Sequence, residues 1–159
     1  MFQPGQIKDY HALNTALDHL LAGEDDSVSH LANASSLLNY FLTDVNWVGF
    51  YTMKNGQLQL GPFQGLPACV TIPVGRGVCG TAVSEQKTML VADVHAFPGH
   101  IACDANSKSE IVVPIKVNGE IYGVLDIDAP ITNRFNADDQ VGLEAFVQVL
   151  EKHLTAATV

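Results

Sequence analysis

Six side chains in the middle of this 159-residue chain carry most of its capacity for chemistry. Three are its cysteines, Cys69, Cys79 and Cys103. An odd count, behind an N-terminus (MFQPGQIKDY) without the basic-then-apolar layout of a secretory signal, does not describe a disulfide framework. Two readings of these thiols stand side by side. They are small buried hydrophobes, or they are a redox set, in which one thiolate attacks and another resolves. The other three are Glu110, Asp126 and Asp128, which fall in two β-like runs, EIVVPIKV and EIYGVLDID, on either side of Asn118-Gly119.

The alternation within those runs fixes where the acids point. Ile111, Val113, Ile115 and Val117 form one apolar face, and Ile121, Gly123, Leu125 and Ile127 another. Both must meet a common core on the same side of the sheet, and opposed residues of an antiparallel pair share a face. Paired residue numbers therefore sum to an even number. A two-residue turn at Asn118-Gly119 places 117 opposite 120, an odd sum, so we expect a three-residue loop, 117–119, with Gly119 as a left-handed bulge. That register sets Glu110 opposite Asp126, with Asp128 on the same face and Val112, Val124 and Tyr122 for company. Like charges so close do not all ionise, and one acid holds a proton near neutral pH. Such a cluster is a cation site or a general-acid site. Trp47 and Tyr51 also share one face of their strand, and an aromatic pair beside acids suits a small ammonium or sulfonium-like group.

The elements that hold these residues follow from periodicity. Tyr10, Leu13, Leu17 and Leu20 recur at helical spacing, the GEDD turn at 23–26 breaks the pattern, and a second amphipathic segment carries Leu31, Leu38 and Leu42. Short β-rich runs come next. WVGFYTM turns at Asn55-Gly56 into LQLGPF, then come CVTIPV, a short helix VCGTAVSEQ, TMLVADV and the hairpin with the acids. A closing helix begins near Asp138 with Asn136 as its cap. The order predicts an α+β domain: an antiparallel sheet of five to six strands with helices segregated to one side. We divide the single domain 1–159 into a helical part (1–45), a sheet with its loops (46–135) and the closing helix (136–159). The irregular stretch 94–109 contains Cys103, and a loop of that length in a compact domain points to function.

Composition excludes several classes. Hydrophobic residues make up 47% of the chain, enough for a sizeable core. Eight Lys and Arg against seventeen Asp and Glu give a formal charge of −9, and the basic residues are scattered singly. Nucleic acid and anionic membranes are therefore poor partners. No apolar run approaches the ~20 residues of a membrane span, and a cytoplasmic location is expected. Gly75-Arg76-Gly77-Val78-Cys79-Gly80 fits G-x-G-x-x-G, but its helix is short and hairpins follow, so we read a tight turn. The cysteines with His95 or His100 lack metal-ligand spacing, and no metal is expected. Cys–His hydrolysis would need His100 beside Cys103 and an oxyanion hole. His11, His19, His30 and His153 sit on helical segments as surface or packing residues.

NWVGFY, LGPFQGLPACVTIPVGRGVCGTA, VADVHAFPGHIACDANSKSEIVVPI and GVLDIDAP, in this order and spacing, resemble the free methionine-(R)-sulfoxide reductases, a catalytic branch of the GAF-domain fold. The likeness runs from about Asn46 to the final helix, and the N-terminal helices also fit. It implies a substrate, free L-methionine-(R)-sulfoxide, with Cys103 as nucleophile, Cys69 as resolving cysteine and Cys79 as a second or alternative partner. Glu110, Asp126 and Asp128 would hold the substrate's ammonium and sulfoxide groups, and Trp47 and Tyr51 its methyl end. Backbone amides at 101–103 are the expected site for its carboxylate. The family also implies a homodimer, no bound cofactor, and electrons from thioredoxin kept reduced by NADPH. A thiolate attacks the sulfur only once protonation makes the sulfoxide oxygen a good leaving group, and a crowded acid cluster can supply that proton. Acids near Cys103, Asp104 among them, raise its thiol pKa, and loop amides or the bound ammonium must offset that. The alternative is a non-catalytic GAF ligand module or thiol redox sensor.

Overall fold

The computed structural model describes residues 2–3, 5, 7–101 and 103–157. Two helices come first, α1 (Tyr10–Leu21) and α2 (Ser27–Phe41). Asp9 and Asp26 cap them, accepting from the backbone N–H of Ala12 and of Ser29. Six strands follow: β1 (Trp47–Lys54), β2 (Gln57–Gly65), β3 (Thr71–Pro73), β4 (Met89–Val91), β5 (Ser109–Val117) and β6 (Glu120–Ala129). They form one antiparallel sheet in the order β3-β2-β1-β6-β5-β4. A nine-residue helix, α3 (Gly77–Glu85), joins β3 to β4, and α4 (Ala137–Ala157) closes the chain. Asn136 caps α4 as expected: its Oδ1 accepts from Asp139 N–H at 2.9 Å, and Asp139 Oδ2 accepts from Asn136 N–H at 3.0 Å. No helix among the described residues is long and apolar enough to cross a membrane.

The sheet separates two apolar clusters. On one face Leu13, Leu17, Leu38, Phe146 and Leu150 of α1, α2 and α4 pack on Val48, Phe50, Ile111, Val113, Leu125 and Ile127. On the other, Val78, Cys79 and Ala82 of α3 pack on Trp47, Tyr51, Val112 and Val124. The N- and C-terminal helices thus share a face, as expected, while the short helix α3 covers the opposite one. Gly75 and Gly77 have φ of +86° and +65°, and Gly75 N–H donates to Gly80 O at 2.9 Å. The G-x-G-x-x-G pattern is accordingly the tight turn that starts α3.

The β5–β6 hairpin corrects the expected register. Asn118 and Gly119 both take positive φ (+55° and +79°) and make a two-residue turn, with Val117 opposite Glu120. Parity is restored further along, where an irregularity leaves Tyr122 unpaired between Lys116↔Ile121 and Ile115↔Gly123. Glu110 therefore lies opposite Asp128, not Asp126, and Asp126 lies opposite Val112. The bulge also exchanges two side chains. Ile121 packs with the α3-side cluster and Tyr122 with the helical core, the reverse of the alternation in the sequence. Gly123 sits beside this bulge at a close approach of β1, where a Cβ would collide with the Tyr51 carbonyl. Gly123→Ala is expected to cost about 1–3 kcal/mol, measured by urea unfolding; an unchanged midpoint would show that the two strands part freely.

Candidate functional site

The strand pairings bring the chemistry to one place. Trp47 pairs with Asp128, Gly49 with Asp126, and Glu110 with Asp128, so Trp47, Tyr51, Glu110, Asp126 and Asp128 share the α3-side face of the sheet. All five line one pocket with Cys79, Cys103, Asp104 and Ser107, and Arg76 and His100 supply its basic lining.

The acids are buried: Glu110 and Asp126 are each 6% exposed. Loss of water raises the pKa of all three, and Asp126 and Asp128 raise that of Glu110 further by repulsion. Hydrogen bonds distribute the charge. Glu110 shares hydrogen bonds with both aspartates, Cys79 donates to Asp126, and Ser107 donates to Asp128. The donors around Asp126 and the nearby His100 oppose the rise there, whereas at Glu110 burial and both aspartates act in the same, upward direction. Asp126 Oδ1 and Asp128 Oδ1 are buried with no donor other than a proton shared with Glu110. A single proton serves one neighbour at a time, which leaves an acceptor for a ligand's N–H.

Cys69 and Cys103 are joined by a disulfide, with Cα atoms 5.5 Å apart. Cys79 is a free, buried thiol whose Sγ lies 4.0 Å from Glu110 Oε2. Burial and the surrounding carboxylates push its pKa up, and it remains a thiol. Cys79, Glu110 and Asp126 each place a ligand atom within 4.8 Å of the others, close enough to hold a metal ion, which would have to displace the protons they carry.

The aromatic pair does two things. Trp47 stacks on Tyr51 at 5.8 Å and on Phe63 at 5.1 Å, walling the pocket. Trp47 Nε1 donates to Leu66 O and Tyr51 Oη donates to Cys69 O, each at 3.1 Å, so the pair also anchors the segment that carries Cys69. Burial keeps the Tyr51 phenol protonated.

The Cys103 side is held by residues that sequence patterns do not single out. Asn46 Nδ2 donates to Asp104 Oδ2 at 2.9 Å and to Ser107 Oγ at 3.1 Å, while Asn46 N–H donates to Asp128 O. Asp104 Oδ1 also accepts from Asn106 N–H at 2.9 Å, so its charge serves the turn after Cys103. Fifty-eight residues separate Asn46 from Asp104. The one visible hint is that Asn46 directly precedes the site face of β1. Of the amides expected to meet a carboxylate, Ala102 lies outside the described residues, and Cys103 N–H already donates to Ile101 O at 3.1 Å. His95 bonds Asp93 and His30 is buried, so neither reaches the pocket.

The GAF domain model matches residues 26–154. The chain is 57% identical to Protein YtsP of Bacillus subtilis over 92% of this chain and 91% of that one. It is 54% identical to the free methionine-R-sulfoxide reductase of Escherichia coli, over 91% and 88%. It superposes on fRMsr of Staphylococcus aureus in complex with substrate with a TM-score of 0.89 and 57% identity, covering 93% of this chain and 97% of that one.

Two variants test the site as described. An acid with a raised folded pKa favours folding fully below its unfolded pKa, and that contribution is lost as pH rises towards the folded value. Glu110→Gln is therefore expected to raise the melting temperature at pH 8, by about 2–4 °C per kcal/mol of relieved repulsion, with the gain vanishing at pH 4. A uniform shift at both pH values would show that the acids do not repel. Asn46→Ala frees Asp104 and Ser107, and amide exchange at 104–108 is expected to accelerate while the helical core keeps its protection; unchanged exchange there would show the loop to be held otherwise.

Proposed function

The chain belongs to the free methionine-(R)-sulfoxide reductase family of GAF-domain proteins, and from that premise we propose that it reduces free L-methionine-(R)-sulfoxide to methionine. The observation that carries the reading is the convergence, in one pocket, of a disulfide-forming cysteine with three buried acids that share protons.

The substrate's ammonium meets the cluster of Glu110, Asp126 and Asp128, and its methyl end packs on Trp47 and Tyr51. Its carboxylate faces Arg76 and the start of α3, whose first turn has no side-chain cap. A protonated carboxyl of the cluster donates to the sulfoxide oxygen while the Cys103 thiolate attacks the sulfur. The Cys103–sulfur bond forms as the S–O bond breaks and the oxygen leaves as hydroxide. Hydroxide then attacks Cys103 Sγ, the S–S bond breaks with its electron pair going to methionine, and Cys103 is left as a sulfenic acid. The Cys69 thiol displaces that oxygen as water and forms the Cys69–Cys103 disulfide. Cys79, held as a thiol beside Glu110 and Asp126, is the second thiol within the site. The bonds that Asp104 makes to Asn46 and Asn106 restrain the charge next to Cys103, and the bound ammonium offsets the rest.

On this reading the enzyme has no cofactor of its own and takes electrons from thioredoxin, kept reduced by NADPH. Its working as a cytoplasmic homodimer rests on the family resemblance. In an NADPH-coupled thioredoxin assay, the free R epimer is expected to be turned over, and the S epimer and N-acetylated R form are not. Cys103→Ser is expected to abolish turnover. Turnover of the N-blocked form at the same rate, or activity surviving Cys103→Ser, would overturn the reading. Deprotonating the cluster removes the acid that serves the sulfoxide oxygen, so kcat is expected to fall at high pH.

A further inference from the structure

Reduction of the Cys69–Cys103 disulfide requires a thiolate to reach one sulfur in line with the S–S bond, and access decides which. Cys103 lines the acid pocket. A thiolate approaching Cys103 through that pocket meets the negative charge that the acid cluster carries, which opposes it. Cys69 sits in the segment leading from β2 to β3 and does not line the pocket.

The surface around Cys69 differs from the rest of the chain. Residues 55–75 contain no charged side chain, in a protein with seventeen acids. Leu66 and Val70 are each 58% exposed and Val74 is 40% exposed, so three large apolar side chains stand in water within five residues of Cys69. From below, the Trp47 bond to Leu66 O and the Tyr51 bond to Cys69 O hold this segment by its backbone. Leu66 and Val70 are therefore presented on a braced support. Protein interfaces have charge-depleted, apolar centres, and an exposed apolar patch next to a redox-active disulfide fits one occupant: the face of a protein dithiol around its attacking cysteine.

We infer that a protein dithiol of the thioredoxin class docks on the uncharged 66–74 segment and attacks Cys69 Sγ, expelling Cys103 as the thiolate. The inference rests on the reductase reading above. The partner's first sulfur bonds to Cys69 as the Cys69–Cys103 bond breaks. The partner's second thiolate then attacks that mixed disulfide, the partner leaves oxidised, and Cys69 is released as a thiolate that takes up a proton. Two electrons pass from the dithiol to the pair, and Cys103 is returned directly to the acid pocket.

Oxidised protein is mixed with thioredoxin lacking its second cysteine, quenched with an alkylating agent, and mapped by peptide mass spectrometry. The adduct is expected on Cys69, with the alkyl label on Cys103; an adduct on Cys103, or none, overturns the inference. Separately, Leu66→Asp and Val70→Asp are assayed with thioredoxin and with dithiothreitol, a small dithiol that needs no docking surface. Thioredoxin-dependent kcat/KM is expected to fall about tenfold or more, with dithiothreitol turnover within about twofold of the parent. Unchanged thioredoxin kinetics overturns the inference. Should a variant lose both activities, the adduct on the unaltered chain decides. Absence of dithiothreitol turnover in the parent chain would instead sink the reductase reading itself.

Discussion

Three carboxyl groups buried on one face of a sheet are the constraint around which this molecule is built. Water would solvate each of them, and the fold withdraws that water, so they remain together only by sharing protons. The stability that tolerates this arrangement comes from the opposite face, where α1, α2 and α4 cover β1, β5 and β6 with apolar side chains. The sheet thus separates a stabilising side from a reactive one. α3 completes the reactive side by bringing a thiol, not another charge, to the acids.

The site is a meeting of distant segments. The acids come from adjacent antiparallel strands, the aromatic wall from β1, and the disulfide from two loops 34 residues apart. Asn46 connects them, with its amide group on the Cys103 loop and its backbone on β6. A short chain of polar contacts thus links the Cys103 loop to the strand that carries Asp126 and Asp128.

Much of this was legible in the sequence wherever a period governed it. Alternation alone placed Glu110, Asp126 and Asp128 on one face, because a buried sheet admits no other parity. It did not place the irregularity that parity requires. A bulge at the turn and a bulge at Tyr122 satisfy the same rule, and Asn118-Gly119 takes the two-residue form that matches strand twist. Beside the bulge Gly123 passes close to Tyr51, a contact between strands more than seventy residues apart in sequence that no local pattern reveals. Cys79 was visible as a helical residue, but its approach to Glu110 follows from how α3 docks. Arg76, Asn46 and Ser107 were not legible as site residues, since a loop contact leaves no period behind.

The hydrogen bond from Tyr51 to the Cys69 carbonyl has a consequence for timing. It grips the backbone and not the sulfur, so it does not depend on whether the Cys69–Cys103 bond exists. The phenol keeps its proton, so the tether holds across the pH range in which thiols exchange. After the disulfide opens, the Cys69 sulfur remains on a short leash above the pocket. On the proposed mechanism, its encounter with an oxidised Cys103 is then governed by local effective concentration, which for well-placed groups far exceeds any thiol level in bulk solution. An unstable sulfenic acid would thus be captured from within the molecule, ahead of over-oxidation or a stray thiol.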